Sequence, residues 1–202
     1  MTLTGAATAL ATASALLGTP VNADMGAALA LCLDTKLDIP ARAAAFKTQA
    51  WSQDYDQAHL REIFAASATL GSLDALDPSS WTATRAHAET ISQELVGRSA
   101  IGDAVVLKSL DARAAVVLQR NSIGLQTCLY VGNDPGLGPV AQTLDGSILR
   151  RIGNVTRIRG DGPKSLISAH YLSDAGRTQF TPPLRFGVAF SVVLDRQPGD
   201  LQ

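Results

Sequence analysis

The sequence has few of the residues on which most recognisable binding and redox motifs depend. Aromatic residues make up 5% of the 202 residues, and the net charge is −1. With so few aromatics there is no base-stacking platform, and the near-neutral charge gives no overall attraction to nucleic acid or to acidic membranes. Cysteine occurs only twice, at widely separated positions, which excludes a CxxC redox or zinc motif. The sequence therefore argues against nucleic-acid partners and predicts no cofactor.

Charge is also absent from the first 23 residues, where a run of small and apolar residues spans 5–18. Val21 and Ala23 fit the small-residue preferences of a signal peptidase site, although a signal peptide normally begins with a basic residue and none precedes Lys36. The run is shorter than the roughly 20 apolar residues of a transmembrane helix. We expect residues 1–23 to be a signal peptide of a bacterial periplasmic protein. The alternative is an uncharged N-terminal helix retained in a cytoplasmic protein.

The two cysteines, Cys32 and Cys128, agree with export, because an even number in an exported chain favours a disulfide. The predicted bridge joins the first helix to the third strand of the predicted sheet. The alternative is a pair of unlinked, buried thiols, which is common for free cysteine. Arginine outnumbers lysine thirteen to four and alanine is abundant, which is typical of a GC-rich bacterial genome.

The chain changes from helical to strand-like patterning at about residue 103. Before that point we predict four helices: one at Met25–Leu33, one after the cap Asp38, one starting at Asp54, and one ending at Gly97. After it, short β-branched runs at 104–107, 114–118 and 125–131 predict an antiparallel meander, followed by strands at 155–159, 165–172 and 186–194 and a short helix within 143–153. The sequence predicts a single α+β domain at 24–202, with N-terminal helices (24–97) packed on one face of a mostly antiparallel sheet (103–195).

Two glycine-containing stretches resemble catalytic or cofactor motifs only weakly. The stretch 136–141 fits G-x-G-x-x-A, but an Asn-Asp-Pro segment separates it from the preceding strand, and its aspartate would repel phosphate. The stretch 97–102 is one residue too long for the G-x-S-x-G nucleophile elbow. We therefore predict no catalytic residue from motif spacing.

Histidines and glutamates on two predicted helices form the candidate metal site. His59 and Glu62 are three residues apart on the third helix, and His87 and Glu94 are seven residues apart on the fourth. If the two helices pair, the four side chains face each other, as ligands do in helical bundles. The alternative is that each histidine flanks an apolar stripe and is merely half-exposed.

A cluster of basic residues is the candidate binding site for an anion or a partner. Its members fall within fifteen residues: Arg150, Arg151, Arg157, Arg159 and Lys164. Arg157 and Arg159 share a face if they lie on a strand, and the planar guanidinium suits carboxylates and phosphates. Such a face could dock an acidic protein surface, an anionic lipid headgroup or a phosphorylated ligand. The alternative is a solvated sheet edge, which charges protect from unwanted pairing.

Scattered titratable residues and the absence of a specified nucleophile–base pair favour binding over catalysis. The sequence predicts an exported, non-catalytic accessory protein that docks to a membrane-associated protein complex through its basic C-terminal half. The alternative function is a small hydrolase or metal-dependent enzyme that uses His59, His87 and nearby carboxylates. A third hypothesis is structural, with the uncharged N-terminal helix packed against another subunit.

Overall fold

A computed structural model describes residues 24–98, 104–120, 124–143, 148–162 and 165–194. The predicted signal peptide at 1–23 and the basic residue Lys164 lie outside these residues. The described helices are α1 (Met25–Leu33), α2 (Ile39–Thr48), α3 (Gln57–Ser72), α4 (Trp81–Arg98), α5 (Gly138–Thr143) and α6 (Asp174–Arg177). The described strands are β1 (Trp51–Asp54), β2 (Val105–Ser109), β3 (Ala114–Arg120), β4 (Gln126–Gly132), β5 (Ile148–Ile152), β6 (Val155–Gly162), β7 (Ser165–Leu172) and β8 (Val188–Leu194).

All eight strands form one antiparallel sheet in the order β1-β2-β3-β4-β8-β7-β6-β5. The predicted α+β class, the N-terminal helices and the β2-β3-β4 meander are confirmed. The last strand lies in the middle of the sheet, between β4 and β7, as the apolar pattern of residues 186–194 predicts. Residues on both faces of β8 are buried, as expected for a strand in the middle of a sheet.

Aspartates begin the first three helices. The side chain of Asp38 accepts a hydrogen bond from the Ala41 amide at 2.8 Å and caps α2, with Pro40 in the first turn. The start of α3 differs from the prediction, because Asp56 rather than Asp54 is its N-cap. Asp54 instead ends β1, which pairs with β2 at the edge of the sheet. This four-residue strand was missed because it is defined by its partner strand and not by a local pattern.

The sheet carries helices on both faces, which corrects the predicted packing on one face only. In β3, Val116 and Leu118 pack in the core beneath α1 and α2, while Ala115 and Val117 pack in the core beneath α3. The fourth helix lies against α3 rather than directly on the sheet. A strand buried at consecutive positions is typical of a sheet covered on both sides, so the apolar run at 114–118 carried this information.

The prediction of a short helix within 143–153 is also wrong. The helix α5 ends at Thr143, and residues 148–152 form β5, which pairs with β6 in the register Ile152 to Val155. Gly153 has a φ of +53° in the two-residue connection, a left-handed conformation that favours glycine. Gly153 therefore lies in the turn of a β-hairpin and does not end a helix, and this hairpin places four arginines on neighbouring strands.

The predicted cysteine pair lies at disulfide-bonding distance and links α1 to the sheet. The Cα atoms of Cys32 and Cys128 are 5.6 Å apart, and both residues are buried in the core beneath α1 and α2. Such a distance is typical of a disulfide. None of the helices in the described ranges combines the length and apolarity needed to cross a membrane.

Candidate anion-binding site

The arginines of the hairpin come together through the register of β5, β6 and β7. Arg150 pairs with Arg157, and Arg157 pairs with His170, so the three residues form one row across the strands. Arg159 pairs with Ser168 in the next row. Because side chains two residues apart on a strand point to the same face, Arg157 and Arg159 share one face, as predicted.

This face is the one that α3 covers. Val155, two residues before Arg157, is buried in the core beneath α3, whereas Ile158 is buried in the opposite core. The alternation therefore divides the predicted basic cluster. Arg151 pairs with Thr156 and lies on the opposite face from Arg150. Arg151 therefore does not belong to the site, and Lys164 lies outside the described residues.

The shared face forms a cavity of about 440 Å³, which we call the arginine site. Its polar lining residues are Arg150, Arg157, Arg159, Ser168 and His170, and none of the acidic side chains that the structure describes lines it. Arg150 and Arg159 are exposed and have no hydrogen-bond or ion-pair partner among the described residues. The three positive charges create a positive potential in the cavity, which a bound anion would neutralise.

Among the three arginines, Arg157 has a guanidinium that is held by a hydrogen bond to the described chain. Its Nη2 donates a hydrogen bond to the carbonyl oxygen of Leu73, the C-cap residue of α3. The negative end of the helix dipole favours a cation at this position. The Nε atom of Arg157 is buried and has no partner in the described part of the chain. The helix end therefore fixes the guanidinium while one N–H donor remains unused.

Ser168 and His170 add a neutral hydrogen-bonding pair to the site. The Oγ of Ser168 lies 3.0 Å from Nε2 of His170. Burial, and to a lesser degree the nearby charge of Arg157, lowers the pKa of His170 to about 4. The imidazole is therefore neutral at physiological pH. Sequence reasoning missed this pair, and its only signal was the two-residue spacing on a strand.

A nucleophilic role for this Ser–His pair is chemically weak. A general base works best when its pKa lies near the operating pH, and a base with a pKa of about 4 takes a serine proton poorly. The Nδ1 of His170 is buried without a partner among the described atoms, so no carboxylate orients the ring. The arrangement can hold an anion through N–H and O–H donors more readily than it can activate a nucleophile.

The predicted metal quartet is not assembled. His59 instead contacts Asp54, with Nδ1 at 2.5 Å from Oδ2, and Glu62 forms an ion pair with Arg185 at 2.8 Å. His87 and Glu94 are exposed on α4. Within the described ranges, no group of three or more histidine, cysteine, aspartate or glutamate side chains is placed to hold a metal ion. The pairing of α3 with α4 does not assemble the site, because the α3 side chains His59 and Glu62 contact Asp54 and Arg185 instead.

The Asp54–His59 contact stabilises the junction between β1 and α3. Burial would raise the pKa of Asp54, but hydrogen bonds from the Asp56 amide and from His59, with the charge of Lys108 at 3.4 Å, hold that pKa below its usual value. The carboxylate thus joins the start of α3 to β1 and β2. None of these side chains is a nucleophile, so the contact does not support the hypothesis of an enzyme that uses His59.

Comparisons with known proteins do not identify this site. No family model, curated protein or solved structure matches the chain. The function must therefore be inferred from the chemistry of the residues themselves.

Proposed function

We propose that the protein is an exported, non-catalytic binding protein that docks to an acidic surface of a protein partner in a membrane-associated complex. The arginine site is the docking surface. The observation that supports this proposal is the convergence of Arg150, Arg157 and Arg159 on one cavity that no described acidic side chain lines. Arginine forms bidentate, charge-assisted hydrogen bonds with carboxylates, which gives such a surface both attraction and orientation.

Binding is favoured over catalysis by the state of the other two lining groups. His170 is neutral at physiological pH because its pKa is about 4, and Ser168 is its hydrogen-bond partner. These groups act as polar donors and acceptors around an anion and leave the charge of the arginines uncompensated. A site with this composition binds carboxylates without chemical change to the ligand.

Export is supported by the cysteines. Cys32 and Cys128 lie at disulfide-bonding distance, which is compatible with an oxidising compartment such as the bacterial periplasm. A disulfide between α1 and β4 would hold the first helix on the sheet during and after secretion. The arginine site does not use the disulfide, because it lies on the opposite face of the sheet from the cysteines.

A defined acidic peptide tests the docking site directly. Hexaglutamate with blocked termini is titrated into the oxidised protein, and binding is measured by calorimetry at low ionic strength. The double variant Arg150→Gln/Arg159→Gln removes two exposed charges with no described partner, so we expect affinity to fall about 5- to 30-fold, corresponding to about 1–2 kcal/mol. Binding by the unaltered protein should weaken as salt is added, because exposed charges are screened.

Arg151→Gln is the matched control, since it removes one exposed arginine from the same strand on the opposite face. Affinity of this variant should stay within about twofold of the unaltered protein. A loss of binding free energy in the control that is half of the loss in the double variant, and so equal per charge removed, would show that only net charge matters, and the docking site would be rejected. An unaltered protein that does not bind the peptide at all would reject it as well.

A further inference from the structure

A second cavity, separate from the arginine site, lies between α3, α4 and the segment that leads into β8. Its volume is about 260 Å³. Ala65 and Ala66 line it on α3, Arg85 and Glu89 line it on α4, and Leu184 and Phe186 form its floor. The α3 residues recur at helical spacing and the middle ones are small, so the two helices leave open space between them. We call this space the α3–α4 cavity.

The charges on the rim of the α3–α4 cavity do not cancel. Arg85 pairs with Glu89 at 2.8 Å, and Arg185 pairs with Glu62 at 2.8 Å. Arg61 is exposed, lines the same rim and has no hydrogen-bond or ion-pair partner in the described ranges. One positive charge is thus left over, which complements a ligand that carries a single negative charge.

The inner part of the α3–α4 cavity is mostly apolar. Leu184 and Phe186 are buried there, beside Ala66. Thr69, which is 1% exposed, also lines the cavity, and its hydroxyl is buried without a hydrogen-bond partner in the described chain. Apolar walls with a few polar groups are typical of small-molecule sites, and the volume lies below the roughly 300–1,000 Å³ that drug-sized ligands occupy.

We propose that the α3–α4 cavity binds a small monocarboxylic acid with an aromatic or aliphatic body. The body packs on Leu184 and Phe186, and the carboxylate lies at the rim beside Arg61. The two rim ion pairs disfavour ligands with further charges, because a second anionic group would meet Glu62 or Glu89. This site is independent of docking through the arginine site.

A fluorinated probe tests this proposal. Binding of 4-fluorophenylacetate to the full chain is followed by fluorine NMR, with 4-fluorophenylacetamide as the neutral analogue of the same shape. We expect a Kd of about 1 mM or tighter for the acid. Arg61→Gln should weaken binding of the acid about fivefold and leave the amide unchanged, because only the acid interacts with the guanidinium.

Filling the cavity provides the second part of the test. Ala65→Leu adds volume at a half-exposed lining position and should weaken binding of both probes at least about tenfold, whereas Ala86→Leu, at an exposed position on α4 outside the lining, should leave binding unchanged. The proposal is overturned if the acid does not bind, if the amide binds as tightly as the acid, or if Ala65→Leu retains affinity. Should Ala65→Leu fail to fold, the comparison of acid and amide on Arg61→Gln remains decisive.

Discussion

Arg42 is among the largest fully buried side chains, at 1% exposure, and its replacement by methionine is the sharpest test of how the first two helices are held. Its Nε donates to the Leu31 carbonyl at 2.9 Å, its Nη2 to the Asp34 carbonyl at 2.7 Å, and its Nη1 to Oε1 of Gln126 at 2.6 Å. Burial lowers the pKa of Arg42, while the charges of Asp34 and Asp38 act to raise it. One guanidinium thus joins the C-terminal end of α1 to β4, two residues from Cys128.

The expected magnitude follows from these three contacts. Methionine keeps most of the apolar volume but leaves the carbonyls of Leu31 and Asp34 and the amide oxygen of Gln126 without their donor. Hydrogen bonds that involve a charged group contribute about 1.5–3 kcal/mol each, and the cost of burying the charge offsets part of their sum. We expect Arg42→Met to lower the free energy of unfolding by about 3–5 kcal/mol.

The assay is urea unfolding of the oxidised protein, followed by circular dichroism. Arg113→Met is the matched control, because Arg113 has an 80% exposed side chain and should change stability by less than about 0.5 kcal/mol. Adding Gln126→Leu to Arg42→Met removes the orphaned amide, so the double variant should be more stable than the sum of the two single changes predicts, by about 1 kcal/mol. A loss below about 1 kcal/mol for Arg42→Met would contradict this expectation, since the half-buried carbonyls would then not need the guanidinium.

Two further predictions concern the disulfide and the buried histidine. Protein from its native host should start at Asp24 and have a mass about 2 Da lower before reduction than after it. Reduction should lower the free energy of unfolding by up to about 4–5 kcal/mol in the chain-entropy model. Two free thiols on a chain that retains residues 1–23 would contradict export. His170 has a pKa of about 4 in the folded protein against 6.5 for an ordinary histidine, so the unfolded chain binds more protons between these values. Stability should therefore fall by up to about 3 kcal/mol as the pH drops from about 6.5 to 4, and urea unfolding of His170→Gln should show a flatter profile. An imidazole that titrates near its ordinary value by NMR would contradict this prediction.

Local patterns predicted most of the elements because the information for each was contained within a few residues. The first helix has the predicted bounds Met25–Leu33, and Asp38 caps the second as expected. Strands with continuous apolar runs, such as 114–118, were found for the same reason. The missed strand β1 and the misassigned strand β5 are short, and each is stabilised by pairing with a neighbouring strand, a contact that local patterns do not show.

The candidate sites depended more strongly on contacts between distant residues. The sequence indicated the basic cluster and the shared face of Arg157 and Arg159, but strand register decided that Arg150 joins them and that Arg151 does not. Ser168 and His170 entered the site because β7 pairs with β6. The metal interpretation of His59 failed because Asp54, on a strand that was not predicted, lies within hydrogen-bonding reach of the ring.

Hydrophobic period, capping residues and turn glycines act over short distances, so the sequence alone was enough to predict the α+β class, the capped helices, the meander and the two cysteines available for pairing. Only long-range packing set the helices on both faces of the sheet and brought three arginines together at one cavity. It also decided that small residues on α3 leave a cavity beside α4. These features depend on which strands pair and which helix faces meet, and such long-range choices are set by the packing of the whole core rather than by any single segment.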